Sequence, residues 1–229
     1  MTENLQIGDI IFTIRPNPKR KNIAVGLDDD GSYYIACPYP FDIDRIQLML
    51  TEQIDSLKDK LSRAPKNNPV HRYLDGETFY LRGELLPLIR TQGDGTRSLR
   101  IKNGAFLLST DCREEEYGIF EKWYSHSLYD DLRRLLPLWT KTISVAPKKI
   151  QIKTVKTIWG SCSSSGNITF SVRLALVPQQ LLEYIIVHEL CHMKKMNHSA
   201  EFWAEVEKYL PDYKKRRNDL KKDSAKYYW

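Results

Sequence analysis

No two cysteines in this 229-residue chain stand close enough to form a CxxC pair: Cys37, Cys112, Cys162 and Cys191 are scattered singly. Neither a disulfide framework nor a four-thiolate zinc ribbon is indicated, and a reducing, cytoplasmic setting is expected. Long apolar runs are missing too. No window approaches the roughly 18 unbroken apolar residues of a membrane helix, and the opening MTENLQIGDI lacks the basic and apolar regions of a secretory signal. Membrane insertion and secretion are not expected. The stretch Gly160 to Gly166 lacks the GK[ST] ending of a phosphate-binding P-loop and does not place serine as G-x-S-x-G, so neither a nucleotide cradle nor a serine hydrolase follows. Charge of one sign is in small excess. The 35 Lys and Arg against 29 Asp and Glu give +6 and a pI near 9.0, which favours anionic partners but falls short of the dense basic stripe of a dedicated DNA binder.

What is present is a mixed, foldable composition, 41% hydrophobic and 11% aromatic, in which one local pattern occurs twice. Apolar runs at 22–27 and 32–37 flank an Asp28-Asp29-Asp30-Gly31 turn, and the spacing of Ile43, Ile46, Leu50, Ile54, Leu57 and Leu61 predicts a helix over 41–61. The second copy pairs 98–102 with 105–110 across Asn103-Gly104, the type I′ turn signal. Asp111 and Glu114 then have the spacing of a capping box before a long helix. Proline cannot donate a backbone bond, so Pro137 is expected to kink or end that helix. Strands are expected at 78–83, 85–90, 149–158 and 167–172, with a polar loop over 159–166. A helix from Pro178 to about Met196 and a last one from near Ser199 complete the chain. The expected class is α+β: a β-rich region, 1–111, with two hairpin-helix (ββα) units, then a catalytic domain, 112–229.

Chemistry concentrates at His188-Glu189-Leu190-Cys191-His192, an H-E-x-x-H pattern. Histidines four apart share a helical face and can reach one zinc, while the glutamate between them is rotated toward the water the metal would activate. His198 follows six residues after His192; an unbroken helix would turn it about 240° away. The helix must therefore end first. Asn197 can take a left-handed conformation and Ser199 can cap the next helix, so the neighbours encode a turn that brings His198 back. Three protein ligands plus water make an open, catalytic zinc site; with Cys191 or Cys162 as a fourth ligand it would be a closed, structural one.

The run from Trp159-Gly160-Ser161-Cys162 through Arg173-Leu174, the histidine motif with Asn197-His198, Phe202-Trp203 and Leu210-Pro211-Asp212-Tyr213 resembles the YgjP-like metallopeptidase family, relatives of the SprT-like zincins. The doubled hairpin-helix half is similar as well. The resemblance implies a zincin-like catalytic domain with one Zn2+ per chain, held by His188, His192 and His198, and Glu189 as the catalytic glutamate. It implies a metallopeptidase that hydrolyses peptide bonds in a peptide or protein substrate, with a zinc-activated water and Glu189 as general base. Lys195 stands where metzincins carry their turn glycine, which argues against that class.

Other residues admit two readings each. Trp159 could line a substrate loop or pack beneath the active helix, and Arg173 could meet a substrate carboxylate or form a surface ion pair. The basic run Lys214, Lys215, Arg216, Arg217, Lys221 and Lys222 is a solvated face or a patch that holds nucleotide or nucleic acid through the C-terminal helix. The rival functions are accordingly a metal-dependent nucleoside triphosphate pyrophosphohydrolase and a nucleic-acid-binding module with a non-catalytic zinc. For a peptidase, the strand at 167–172 is the expected partner of an extended peptide.

Overall fold

The structure is a computed structural model and describes residues 4–8, 10–27, 33–52, 54, 71–91 and 96–229. The chain divides into two compact units, Met1–Asn68 and Pro69–Trp229. The division falls upstream of the 111/112 boundary expected from the sequence. The hairpins at 78–109 share one core with the long helix that follows them, and that shared burial places them in the second unit.

In the first unit, β1 (Asn4–Ile7), β2 (Ile10–Pro16), β3 (Ala24–Leu27) and β4 (Tyr33–Cys37) form a sheet of order β1-β2-β4-β3. β1 and β2 were not anticipated, although Leu5, Ile7, Ile10, Phe12 and Ile14 are all buried and alternate with more exposed neighbours along each strand. β3 and β4 are antiparallel, and α1 (Ile43–Thr51) follows, its first turn capped by Asp42, which accepts from the Arg45 amide at 3.1 Å. Ile46 and Leu50 fill the sheet face with Phe12 and Ile35. The expected Asp28–Gly31 turn and the helix beyond residue 54 lie outside the described residues.

The second unit begins with β5 (Thr78–Leu81), β6 (Glu84–Thr91), β7 (Ser98–Lys102) and β8 (Ala105–Ser109), ordered β5-β6-β8-β7. Asn103 and Gly104 both take positive φ, 51° and 75°, the requirement of a type I′ turn. The capping box does not form. Instead the Thr110 hydroxyl accepts from the Cys112 amide, and Cys112 caps a short 3-10 turn that leads into α2 (Glu116–Ile143). Of the two outcomes expected of Pro137, it does not end α2 but lies inside it, on the exposed side where water can satisfy the carbonyl it leaves free. The buried stripe of α2, Phe120, Tyr124, Leu128, Leu132 and Leu135, runs through the core of the unit.

A second sheet in this unit has β9 (Lys149–Lys153), β10 (Gly160–Cys162) and β11 (Asn167–Ser171) in the order β10-β11-β9. The expected polar loop over 159–166 therefore contains an edge strand, and β11, expected to be open to a peptide, is paired on both sides. Three helices follow: α3 (Gln179–His192), α4 (Ala200–Tyr209) and α5 (Tyr213–Asp223).

Candidate metal centre

α3 is apolar nearly all round: Leu181, Leu182, Ile185, Ile186, Val187, Leu190 and Cys191 are buried, as a helix passing through a core must be. Its last turn carries His188, Glu189 and His192. The helix stops at His192, four residues earlier than the sequence suggests, and the chain crosses in an open turn to Ser199, whose hydroxyl accepts from the Phe202 amide and starts α4. Asn197 has no positive φ, so the turn is made without the left-handed residue expected there. It swings His198 back. The Nε2 atom of His188 lies 3.2 Å from that of His192 and 3.1 Å from that of His198.

Among the described residues, these three form a group whose ligand atoms all lie within 4.8 Å of one another. Two further observations fit the group to a metal ion. Imidazole Nε2 atoms crowded together cannot all be satisfied by each other, since a pair shares at most one proton and three compete for it. And His192 Nδ1 faces the Lys195 carbonyl at 3.2 Å, the outer contact that puts the proton on Nδ1 and leaves Nε2 free to ligate. Burial first, then the neighbouring His192, His198 and Arg217 charges, lower His188 to a pKa of about 3, and burial lowers His192 as well. Neutral imidazoles are what a metal requires.

Two aromatic side chains of α4 hold the rings. Phe202 stacks on His192 at 4.4 Å between centroids and meets His188 and His198 edge-on, at 4.9 Å and 5.0 Å. Trp203 stacks on His198 at 5.6 Å. Neither role can be read from the one-dimensional pattern, because each depends on where α4 crosses α3.

Glu189 is buried, and among the described residues its Oε2 has no hydrogen-bond partner. Burial pushes its carboxyl up to about 8. Its other neighbour is β10: a β-carbon built on Gly160 would stand 2.7 Å from Glu189 Oε1. Glycine at this position lets the edge strand approach the carboxylate.

The remaining candidates fall elsewhere. Arg173 is neither a surface ion pair nor a free substrate contact. It is buried and donates to three backbone carbonyls, those of Tyr227 at 2.9 Å, Lys156 at 2.7 Å and Ser224 at 2.7 Å. Its guanidinium lies between the rings of Trp159, 4.2 Å away, and Tyr228, 3.8 Å away. Trp159 thus packs on Arg173 and Tyr227, and Arg173 fastens the C-terminal segment. Trp229 stacks on Tyr117, and the Tyr228 carbonyl meets His71. Cys191 is a buried thiol whose pKa burial raises to about 12, Cys162 is raised by burial too, and neither belongs to the group of potential ligand atoms that His188, His192 and His198 form. In the basic run, Lys214 pairs with Glu207, Lys215 with Asp219, and Arg216 with Asp212 and Glu183.

Residues 21–223 match the family model described as YgjP-like, metallopeptidase domain. A solved structure, the metallopeptidase zymogen of Pyrococcus abyssi abylysin, is 25% identical over 42% of this chain and 96% of its own, with a TM-score of 0.39. No curated protein matched the chain.

Proposed function

Because the chain belongs to the YgjP-like metallopeptidase family, we propose that it is a zincin-like, zinc-dependent peptidase whose centre is held by His188, His192 and His198 and whose general base is Glu189. The observation that carries this is the convergence of three imidazole Nε2 atoms, with a buried carboxylate that has an unpartnered oxygen on the same helical turn as two of them. Bound zinc would supply Lewis-acid polarisation of the scissile carbonyl and a water acidified toward a pKa of about 7. The chain's own groups do the rest. Glu189 Oε2, without a competing donor among the described residues, is free to take the proton from the attacking water and return it to the leaving amine. Phe202 and Trp203 keep the imidazoles in ligating orientation.

β10 supports a peptide as substrate. It is an edge strand with one side unpaired among the described residues, it leads away from Gly160 at the Glu189 carboxylate, and an extended peptide can add to such an edge through main-chain hydrogen bonds. The assignment thereby moves the expected pairing from β11 to β10. The test is a hydrolysis screen of zinc-loaded protein against peptide pools and nucleoside triphosphates, with Glu189→Gln alongside. Peptide cleavage that falls about 10²-fold or more in the variant, at unchanged zinc content by elemental analysis, is the expected result. Full activity in the variant would remove Glu189 from the mechanism, and zinc loss would make it a ligand.

A further inference from the structure

We propose that Arg217 is a specificity-determining residue of this site and selects peptides that present a carboxylate next to the scissile bond. The proposal rests on the peptidase reading above. α5 turns Tyr213, Arg217 and Leu220 to one side, three and four residues apart, and Tyr213 and Leu220 are buried there. Tyr213 stacks on Trp203 at 5.3 Å and 12° between planes, and the guanidinium carbon of Arg217 lies 4.7 Å from the centroid of the same Trp203 ring. Trp203 in turn is 5.6 Å from the His198 ring and 5.7 Å from the His188 ring. A single indole therefore connects the guanidinium to two of the proposed zinc ligands.

The neighbours of Arg217 show why this cation differs. Lys214, Lys215 and Arg216 each have a carboxylate partner, and Arg216 also donates to the Gln180 carbonyl at 2.9 Å. Among the described residues Arg217 has no carboxylate partner and no hydrogen bond; it lies on the face of Trp203, its charge is felt at His188 and Tyr184, and it is exposed. Stacking on an indole fixes the plane of a guanidinium while leaving its in-plane N–H donors unused, and that fork matches a carboxylate bidentately. A triphosphate would call for several fixed, unmatched cations; Lys214, Lys215 and Arg216 are matched, and Lys221 and Lys222, which also lack a carboxylate partner among the described residues, lie against no aromatic ring and offer point charges on free stems rather than a held fork. One free fork suits one carboxylate. An acidic side chain and a C-terminal carboxylate share that chemistry.

The test uses one cleavable peptide sequence with Glu, Gln or Lys at each position flanking the scissile bond, plus a free-acid and an amidated form ending next to it. Zinc-loaded wild type, Arg217→Ala and Arg217→Glu are compared by kcat/KM, and the same peptides are titrated calorimetrically into the Glu189→Gln protein with and without each Arg217 change. A Glu-over-Gln ratio of about tenfold is expected in wild type in both measurements, falling to near one in Arg217→Ala and turning toward Lys in Arg217→Glu. If only the free-acid peptide shows the ratio, the carboxylate is the terminal one; if the internal Glu series does, it is a side chain. A ratio near one in wild type, or equal loss on all peptides in both variants, overturns the proposal. So does an effect of Arg217→Ala confined to nucleoside triphosphate hydrolysis. Failure of the peptidase reading itself would look different: no peptide would be cleaved by wild type faster than by Glu189→Gln.

Discussion

A carboxyl held at about 8 by burial makes Glu189 a probe of the metal-free site. An unfolded glutamate ionises near 4.3, so between there and pH 8 the folded chain keeps a proton that the unfolded chain has released. The folded state then binds more protons, and stability falls as pH rises through that window. Glu189→Gln removes the effect. In metal-free protein, the difference in unfolding free energy between variant and wild type should shift in the variant's favour by on the order of a few kcal/mol from pH 4.5 to pH 8. Denaturant titrations at both pH values measure it, and a pH-independent difference would mean that the carboxyl titrates normally. His188, lowered to about 3, gives a slope of opposite sign below pH 6.5, but it is common to both proteins and cancels. Gly160→Ala would place a β-carbon against Glu189 Oε1 and Cγ, so turnover should drop at least tenfold while the thermal midpoint and zinc content change little. Unaltered turnover would show that β10 can withdraw from the carboxylate. That His188, Glu189 and His192 share one helical turn was legible because their spacing is a property of any helix; the approach of Gly160 was not, since its partner lies 29 residues away on another element.

The turn between α3 and α4 is where an element boundary decides the site. Ser199 caps α4 and immediately follows His198, so its hydroxyl anchors the return of the third imidazole. Ser199→Ala should cost about 1 kcal/mol of stability and weaken zinc binding by several-fold, read in a chelator competition; loss of stability with unchanged zinc affinity would mean that Phe202 and Trp203 position His198 unaided. The need for a break after His192 was readable from the six-residue offset, and the cap from the serine. The mechanism of the break was not. Asn197 had the residue type for a left-handed turn, but the backbone found another route. β10, only the three residues Gly160-Ser161-Cys162, is too short to show an apolar alternation, and only its pairing with β11 makes it a strand.

At the scale of the molecule, the two units have separate hydrophobic cores, and all five tryptophans, Trp123, Trp139, Trp159, Trp203 and Trp229, belong to the second. Intrinsic fluorescence therefore reports on the unit that carries the proposed zinc site. A metal that binds only the folded state raises its stability by about 2.7 kcal/mol at a hundredfold excess over Kd, so a chelator should lower the fluorescence-detected midpoint by several degrees. Circular dichroism, which samples both units, should show an additional component insensitive to the chelator. A fluorescence midpoint indifferent to chelation would separate the histidine group from the stability of its unit.

The sequence by itself determined the α+β character, the helix that carries His188, Glu189 and His192, the turn at Asn103-Gly104 and the return of His198, because each is set by residues within a few positions of one another and by the 3.6-residue period. Tertiary structure alone decided what surrounds them. Arg173, a candidate for substrate, became the fastener of the C-terminal segment, since buried donors must find acceptors and the nearest were the carbonyls of Ser224, Tyr227 and Lys156. Arg217, one cation in a basic run, was left with an aromatic face and no carboxylate because of where α5 meets Trp203. Contacts between residues distant in the chain follow from packing of whole faces, and no local spacing encodes them.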